Sequence, residues 1–203
     1  MNERSRPLQA LAGYAVDLFR LSRFDVRNPH SLFKTRAIKA MRKRTGAQVL
    51  VETGTYLGVT TARCAPAFQT VKTIELQPDL ARDAARWLAR HQNVEVIQGD
   101  ADAEVRRLFE QSDLDRVLLF LDGHFSGGVT ALGDVPEPAV AILDFLAHHR
   151  DRIVGIIVDD FREFGVQPDW PKKWELVQAA EEQFGSHGYR VSIHFDMLLI
   201  ERA

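Results

Sequence analysis

From Ala47 onward, short apolar runs alternate with stretches whose apolar residues recur at helical spacing. Val49 to Glu52, Val71 to Glu75, Val94 to Ile97, Val117 to Leu121 and Ile153 to Val158 read as strands. Between them lie segments of helical period: about Gly58 to Phe68, a stretch after Pro78 carrying Leu80, Ala84, Trp87 and Leu88, one after Asp100 carrying Val105, Leu108 and Phe109, and one opened by Pro138 with Ile142, Phe145 and Leu146. This alternation predicts an α/β fold, Rossmann-like, with a mostly parallel sheet and helices on both faces. Val117 to Leu121 is apolar throughout and so belongs at the centre of the sheet. A helix over about Lys172 to Phe184 is followed by Tyr189 to Phe195 and Met197 to Glu201, divided by little more than Asp196, which predicts a C-terminal antiparallel hairpin.

Ahead of this region the pattern is helical only. Leu8, Leu11, Ala12, Ala15, Leu18 and Phe19 share one helical spacing, and a second helix follows Asn28-Pro29 through Ile38 and Met41 until Gly46. The organisation expected is a basic helical N-terminal arm over residues 1–45 and an α/β domain over 46–203.

Composition narrows the classes. A chain of 203 residues with 45% hydrophobic content suits one domain with a sizeable core. No apolar run approaches the roughly 18 residues of a membrane span, and the N-terminus lacks a secretory apolar stretch, so a cytoplasmic protein without a membrane partner is expected. The single cysteine, Cys64, falls among Ala62, Ala65 and Phe68 and reads as inert packing. The net charge of −2 conceals an asymmetry, because residues 1–45 carry eleven Lys and Arg against three acids. No aromatic interleaving accompanies those charges, so nucleic acid is not the expected partner. Docking against the acidic body, or against a second copy in a homodimer, is the alternative.

Open parallel sheets bind ligands at the carboxyl ends of their strands. Glu52-Thr53-Gly54-Thr55-Tyr56-Leu57-Gly58 leaves the first strand with two glycines where the chain must turn. A dinucleotide loop would follow G-x-G-x-x-G and hold pyrophosphate on helix amides, whereas here an acid precedes the first glycine and would repel phosphate. S-adenosylmethionine has no phosphate and carries a cationic sulfonium and ammonium, so Glu52 suits it and not NAD. Glu75 ends the second strand, where an acid can accept hydrogen bonds from ribose hydroxyls, and Gly99-Asp100-Ala101 ends the third, where a bare turn and a carboxylate can frame adenine. Taken singly, such acids and glycines also serve as turns and helix caps. Three in register on consecutive strands favour a cofactor site.

From Ala47 to Ala203 the chain resembles the class I methyltransferases, and among them the metal-dependent O-methyltransferases typified by catechol O-methyltransferase. The resemblance rests on VETGTYLGVTT (Val51 to Thr61) and TIELQPDLA (Thr73 to Ala81), which are similar to that family's first and second cofactor motifs. It implies that Glu52, Gly54, Tyr56 and Gly58 surround the methionine part of the cofactor, and Glu75 the ribose. FLDGHFSGG (Phe120 to Gly128) and IIVDDFREFG (Ile156 to Gly165) resemble a bacterial group related to macrocin-type sugar O-methyltransferases and cephalosporin hydroxylase-like proteins. The lysine that the catechol family has just beyond its fourth-strand aspartate is absent, Phe125 lying near that place, and its acid-amide pair after the fifth strand is Asp159-Asp160.

Neighbouring strands lie about 4.8 Å apart, so Asp122 and Asp159-Asp160 can converge on one hard cation, Mg²⁺ above all, that would lower the pKa of an acceptor hydroxyl and orient it. Asp122 and Asp160 can equally cap turns. His124, two residues beyond Asp122, is the candidate base, and Ser126 to Pro138, rich in Gly and Pro, is a candidate lid. His148 and His149 are expected to be solvated at a helix end or favourably placed at its dipole. Trp170 fits either a substrate wall or the core, and Trp174 is expected in the core in line with Val177 and Phe184. The function expected is metal-assisted O-methylation of a small-molecule acceptor, a sugar or secondary metabolite. The alternatives are metal-independent N-methylation and a non-catalytic cofactor-binding or interaction domain.

Overall fold

The computed structural model describes Phe19 and residues 31–122, 137–167 and 170–203. Phe125, the candidate base His124, nearly all of the candidate lid and, apart from Phe19, the helix expected from Leu8 lie outside the described residues.

Seven strands form one sheet: β1 (Val49–Thr53), β2 (Thr70–Glu75), β3 (Val94–Gln98), β4 (Val117–Leu121), β5 (Ile153–Val158), β6 (Tyr189–His194) and β7 (Met197–Arg202). Their order is β3-β2-β1-β4-β5-β7-β6. The first five pair in parallel, while β7 runs antiparallel to both β5 and β6. All residues of β4 and β5 are buried, as two-sided coverage requires. The chain order reverses direction between β1 and β4, which opens a crevice above their carboxyl ends.

Side chains alternate between two cores. Val117, Leu119 and Leu121 face a core closed by α4 (Ala101–Gln111), α5 (Ala139–Leu146) and α6 (Lys173–Gln183). Leu118 and Phe120 face the other, closed by α1 (Ser31–Thr45) and α2 (Val59–Cys64), while α3 (Pro78–Leu88) packs along β2 and β3. Cys64 is fully buried in this second core.

α1, drawn from the basic segment, is therefore a layer of the domain. Ile38 and Met41 are fully buried on the sheet, and Gly155 leaves the notch for Met41: a Cβ there would stand 2.5 Å from Met41 Sδ. Arg116 closes the end of α1 by donating 2.8 Å hydrogen bonds to the carbonyls of Thr45 and Gly46. Arg44 pairs with Glu201 of β7 at 2.6 Å.

Three expectations are corrected. The helix expected over Gly58 to Phe68 ends at Cys64, and Pro66 turns the next residues, Ala65–Ala67, into a tighter 3-10 turn. Trp174 is exposed, because α6 faces the core through Leu176, Ala179 and Ala180, and Trp174 lies on the opposite side. His149 is half-buried against Phe109 and Phe145, at 5.5 and 4.8 Å between ring centroids, rather than fully solvated. Trp170 packs on Phe164 against the core. None of the described helices is long and apolar enough to cross a membrane.

Candidate functional site

At the end of β1 the backbone turns left-handed three times within five residues, at Gly54 (φ 83°), Tyr56 (φ 48°) and Gly58 (φ 69°). Glycine makes the first and third turns without strain, but Tyr56 needs external support. Glu75 supplies it. One carboxylate oxygen accepts the Tyr56 amide at 2.7 Å and the other accepts the Gln77 amide at 3.0 Å. The Gly54 and Thr55 amides both donate to the Ile74 carbonyl, at 2.9 and 3.1 Å. The loop is thus fastened to β2 through backbone, leaving the Tyr56 side chain half exposed above it.

Further along the same edge, the Gly99 amide donates to the Glu75 carbonyl at 3.0 Å. Asp100 caps α4 by accepting the Ala103 amide at 3.1 Å, and Ala101 opens the helix. The structure therefore lines up the Gly54 to Gly58 loop, Glu75 and Gly99-Asp100-Ala101 across β1, β2 and β3. Asp100 has the capping role that the sequence also allowed.

Glu52 lies beneath this loop, with a relative exposure of 1%. Its Oε2 accepts hydrogen bonds from the Thr61 hydroxyl and, at 2.7 Å, the Thr73 hydroxyl. The one Thr73 proton is committed to Glu52, so the 2.6 Å contact between Thr55 and Thr73 is donated by Thr55. Burial pushes the Glu52 carboxyl up to about 7 despite the two threonines that favour its charged form.

On the other side of the crevice, Asp122 follows β4, and Asp159 and Asp160 follow β5. The parallel ladder continues past the strand ends: the Asp122 amide donates to the Thr53 carbonyl at 3.3 Å and to the Thr53 hydroxyl at 3.1 Å, and the Asp159 amide donates to the Leu121 carbonyl at 3.0 Å. This brings the three carboxylates together, with one oxygen of each within 4.8 Å of the others. Asp160 has a left-handed backbone (φ 51°), and its carboxylate pairs with Arg162 at 2.9 Å. Arg162 is held in turn by Asp196, whose Oδ1 also accepts the Arg162 amide at 2.7 Å.

Between Asp122 and Asp159 stands Lys34, from the first turn of α1. Its Nζ lies 2.8 Å from Asp122 Oδ2 and 2.5 Å from Asp159 Oδ2. Burial alone would lower the pKa of this ammonium, but Asp122, Asp159 and Asp160 outweigh burial and raise it above the ordinary lysine range. Asp159 moves up as well, to about 7, through burial first and then through Asp122 and Asp160, with Lys34 opposing. The two shifts are compatible: Lys34 stays charged, and the excess negative charge weighs on Asp159, the more deeply buried of its two partners.

Three carboxylates offer hard oxygen donors of the kind Mg²⁺ takes, and neither Asp159 oxygen has a hydrogen-bond partner among the described residues, Oδ2 being met by Lys34 as an ion pair. The position between Asp122 and Asp159 nevertheless belongs to Lys34 Nζ, so with α1 docked the residues do not fit a metal there. Sequence reasoning missed Lys34, Arg162 and Asp196. Lys34 carried one signal: it precedes Ile38 and Met41 by four and seven residues, on the apolar stripe of the helix.

This architecture is a Rossmann-like fold of the kind found in solved methyltransferase structures. No protein-family model matches the chain, and no curated protein matches it in sequence. Among solved structures it is similar to an O-methyltransferase from Bacillus cereus in complex with S-adenosylhomocysteine, at 17% identity and a TM-score of 0.59, over 84% of this chain and 81% of that one. It is also similar to the S-adenosylhomocysteine-bound methyltransferase PaMTH1 from Podospora anserina, at 13% identity and a TM-score of 0.60, over 96% of this chain and 87% of that one. A third similar structure is the O-methyltransferase TomG from Streptomyces achromogenes in complex with S-adenosylmethionine, at 16% identity and a TM-score of 0.56, over 84% of this chain and 80% of that one.

Proposed function

We propose that the protein transfers the methyl group of S-adenosylmethionine to a hydroxyl of a small molecule, a sugar or secondary metabolite. The observation that carries this reading is the left-handed loop Gly54, Tyr56, Gly58 clasped by Glu75 at the ends of β1 and β2, in a fold shared with proteins whose structures hold S-adenosylmethionine or S-adenosylhomocysteine. The residues fit such a cofactor. Gly54 and Gly58 present bare backbone, and a Cβ at Gly58 would stand 3.0 Å from Leu88 Cδ1, so the turn is closed to larger residues. Glu75 retains lone pairs for two ribose hydroxyls beside the amides it already accepts, and Gly99, Asp100 and Ala101 would border the adenine.

Bound S-adenosylmethionine supplies an electrophilic methyl group on a sulfonium. Toward it, Glu52 supplies negative potential from below the loop once ionised, above about pH 7, and the threonine hydroxyls keep that carboxylate aligned. Asp122 would orient the acceptor hydroxyl and His124 would take its proton, so that the new C–O bond forms as the C–S bond breaks and S-adenosylhomocysteine leaves. Metal-assisted activation at Asp122, Asp159 and Asp160 would require Lys34 to withdraw, and no step here passes through a metal. His124→Ala is expected to slow turnover by roughly 10² to 10⁴, the range for loss of a general base.

Titration calorimetry tests the reading. S-adenosylmethionine should bind on the order of micromolar, and NAD far more weakly. Equal affinity for the two would overturn the assignment. An acceptor screen that reads S-adenosylhomocysteine then identifies the substrate.

A further inference from the structure

We propose that Lys34 is the resident cation of the acceptor site: its ammonium takes the place of a divalent ion between Asp122 and Asp159, and the protein works without a bound metal. The inference rests on the reading of this crevice as the acceptor side of a methyltransferase site.

A cation position between these two carboxylates is taken by Lys34 Nζ. Nζ is at 2.8 and 2.5 Å from one oxygen of each, while one oxygen from each of the three aspartates falls within 4.8 Å of the others. A metal at its normal coordination distance of about 2.0 to 2.6 Å from the same oxygens would overlap Nζ. The third carboxylate is engaged elsewhere, since Asp160 pairs with Arg162, which Asp196 fixes from the turn between β6 and β7. Lys34 and Arg162 are thus the cations that these three aspartates already meet within the chain.

Lys34 is also not a loose side chain that solution ions could displace at little cost. It rides on α1 in line with Ile38 and Met41, which are fully buried, with Met41 seated over Gly155. The helix is tied at its far end by the bonds from Arg116 and the pair between Arg44 and Glu201. The register that buries Ile38 and Met41 is the one that delivers Nζ to the ends of β4 and β5.

For catalysis, a fixed ammonium here can do part of what a metal does: hold Asp122 in one orientation and offer positive charge to the acceptor oxygen as its proton leaves. It cannot bind two substrate oxygens as a metal does, so the acceptor it serves needs only one reacting hydroxyl, not a vicinal pair.

The test is Mn²⁺ uptake by the full chain, read from the electron paramagnetic resonance of the free ion, without cofactor or acceptor. This keeps its failure separate from failure of the methyltransferase reading, which cofactor calorimetry decides. The wild-type protein should take up no Mn²⁺ at this site, and its thermal unfolding midpoint should be the same in chelator and in excess Mg²⁺. Lys34→Met should create a site that binds Mn²⁺ tighter by on the order of a hundredfold, because a fixed ammonium a few ångströms away no longer repels the ion. Asp159→Asn in the Lys34→Met background should abolish that site, and Lys34→Arg should remain metal-free. Stoichiometric Mn²⁺ uptake by the wild type lost in Asp159→Asn, a midpoint raised by Mg²⁺, or a folded Lys34→Met that binds no more Mn²⁺ than the wild type would each overturn the proposal. The wild-type measurements decide it even if Lys34→Met does not fold.

Discussion

The backbone amide of Tyr56 donates to Glu75 Oε2 at 2.7 Å, so the acid at the end of β2 holds the left-handed turn at the end of β1 before any ligand arrives. Glu75→Ala should therefore act twice. It removes the acceptor proposed for the ribose, and it releases the loop. Cofactor affinity should fall by roughly 1.5 to 3 kcal/mol, the scale for hydrogen bonds to a charged group, and the Tyr56 amide should exchange its hydrogen faster in the free protein. Unchanged calorimetry together with unchanged exchange would remove both roles.

Glu52 gives a pH dependence whose sign follows from burial. Its carboxyl has an ordinary value of 4.5 and is pushed up to about 7 in the fold. Above its unfolded value the unfolded chain has released the proton while the folded chain still holds it, so stability falls as pH rises from about 4.5 to about 7 and levels off beyond. At about 1.4 kcal/mol per unit the contribution is on the order of 3 kcal/mol at most. Asp159 adds to the same fall, since it is raised in the same direction. Glu52→Gln should flatten the decline without abolishing it, as measured by urea unfolding across this range. A variant whose profile overlays the wild type would contradict the burial argument.

The strands were legible in the sequence because their cues are local: β4 and β5 are continuous apolar runs, and Asp196 marks the turn between β6 and β7. The Gly54 to Gly58 turn and the acids beside it, the proposed cofactor side, were legible for the same reason, since they lie at the carboxyl ends of the first two strands. Lys34 was not, because its role depends on where α1 docks, 88 residues away in sequence from Asp122. No periodicity encodes that contact. The face of α6 was misread for a related reason: the spacing of Trp174, Val177 and Phe184 fits a helical stripe, but Phe184 lies past the helix end and the sheet selects Leu176, Ala179 and Ala180.

That reassignment is testable on stability. Trp174 is 59% exposed and Phe184 fully buried, packed on Tyr189 at 5.2 Å between ring centroids. Trp174→Ala should change unfolding free energy by no more than about 0.5 kcal/mol, whereas Phe184→Ala should cost about 3 to 5 kcal/mol. Comparable losses in the two variants would return Trp174 to the core.

Gly155 links the fold to the chemistry. It lies within β5 under α1, and an alanine Cβ would stand 2.5 Å from Met41 Sδ, 3.1 Å from Leu118 Cδ1 and 3.2 Å from Met41 Cγ. A strand glycine replaced by alanine would otherwise gain a few tenths to 1 kcal/mol through the unfolded chain, but overpacking a buried site costs about 1 to 3 kcal/mol, so Gly155→Ala should destabilise on balance. The strain falls on Met41, which shares its helix face with Lys34, and should shift Nζ relative to Asp122 and Asp159. Methyl transfer should then drop while cofactor affinity stays near wild type, because the Gly54 to Gly58 loop and Glu75 are bonded to β2 and not to α1. In the Met41→Ala background the alanine has room, and Gly155→Ala should lose most of its cost, a coupling within the 0.5 to 3 kcal/mol seen for residues in contact. Additive effects of the two substitutions, or equal losses of turnover and cofactor binding, would separate α1 from the acceptor site.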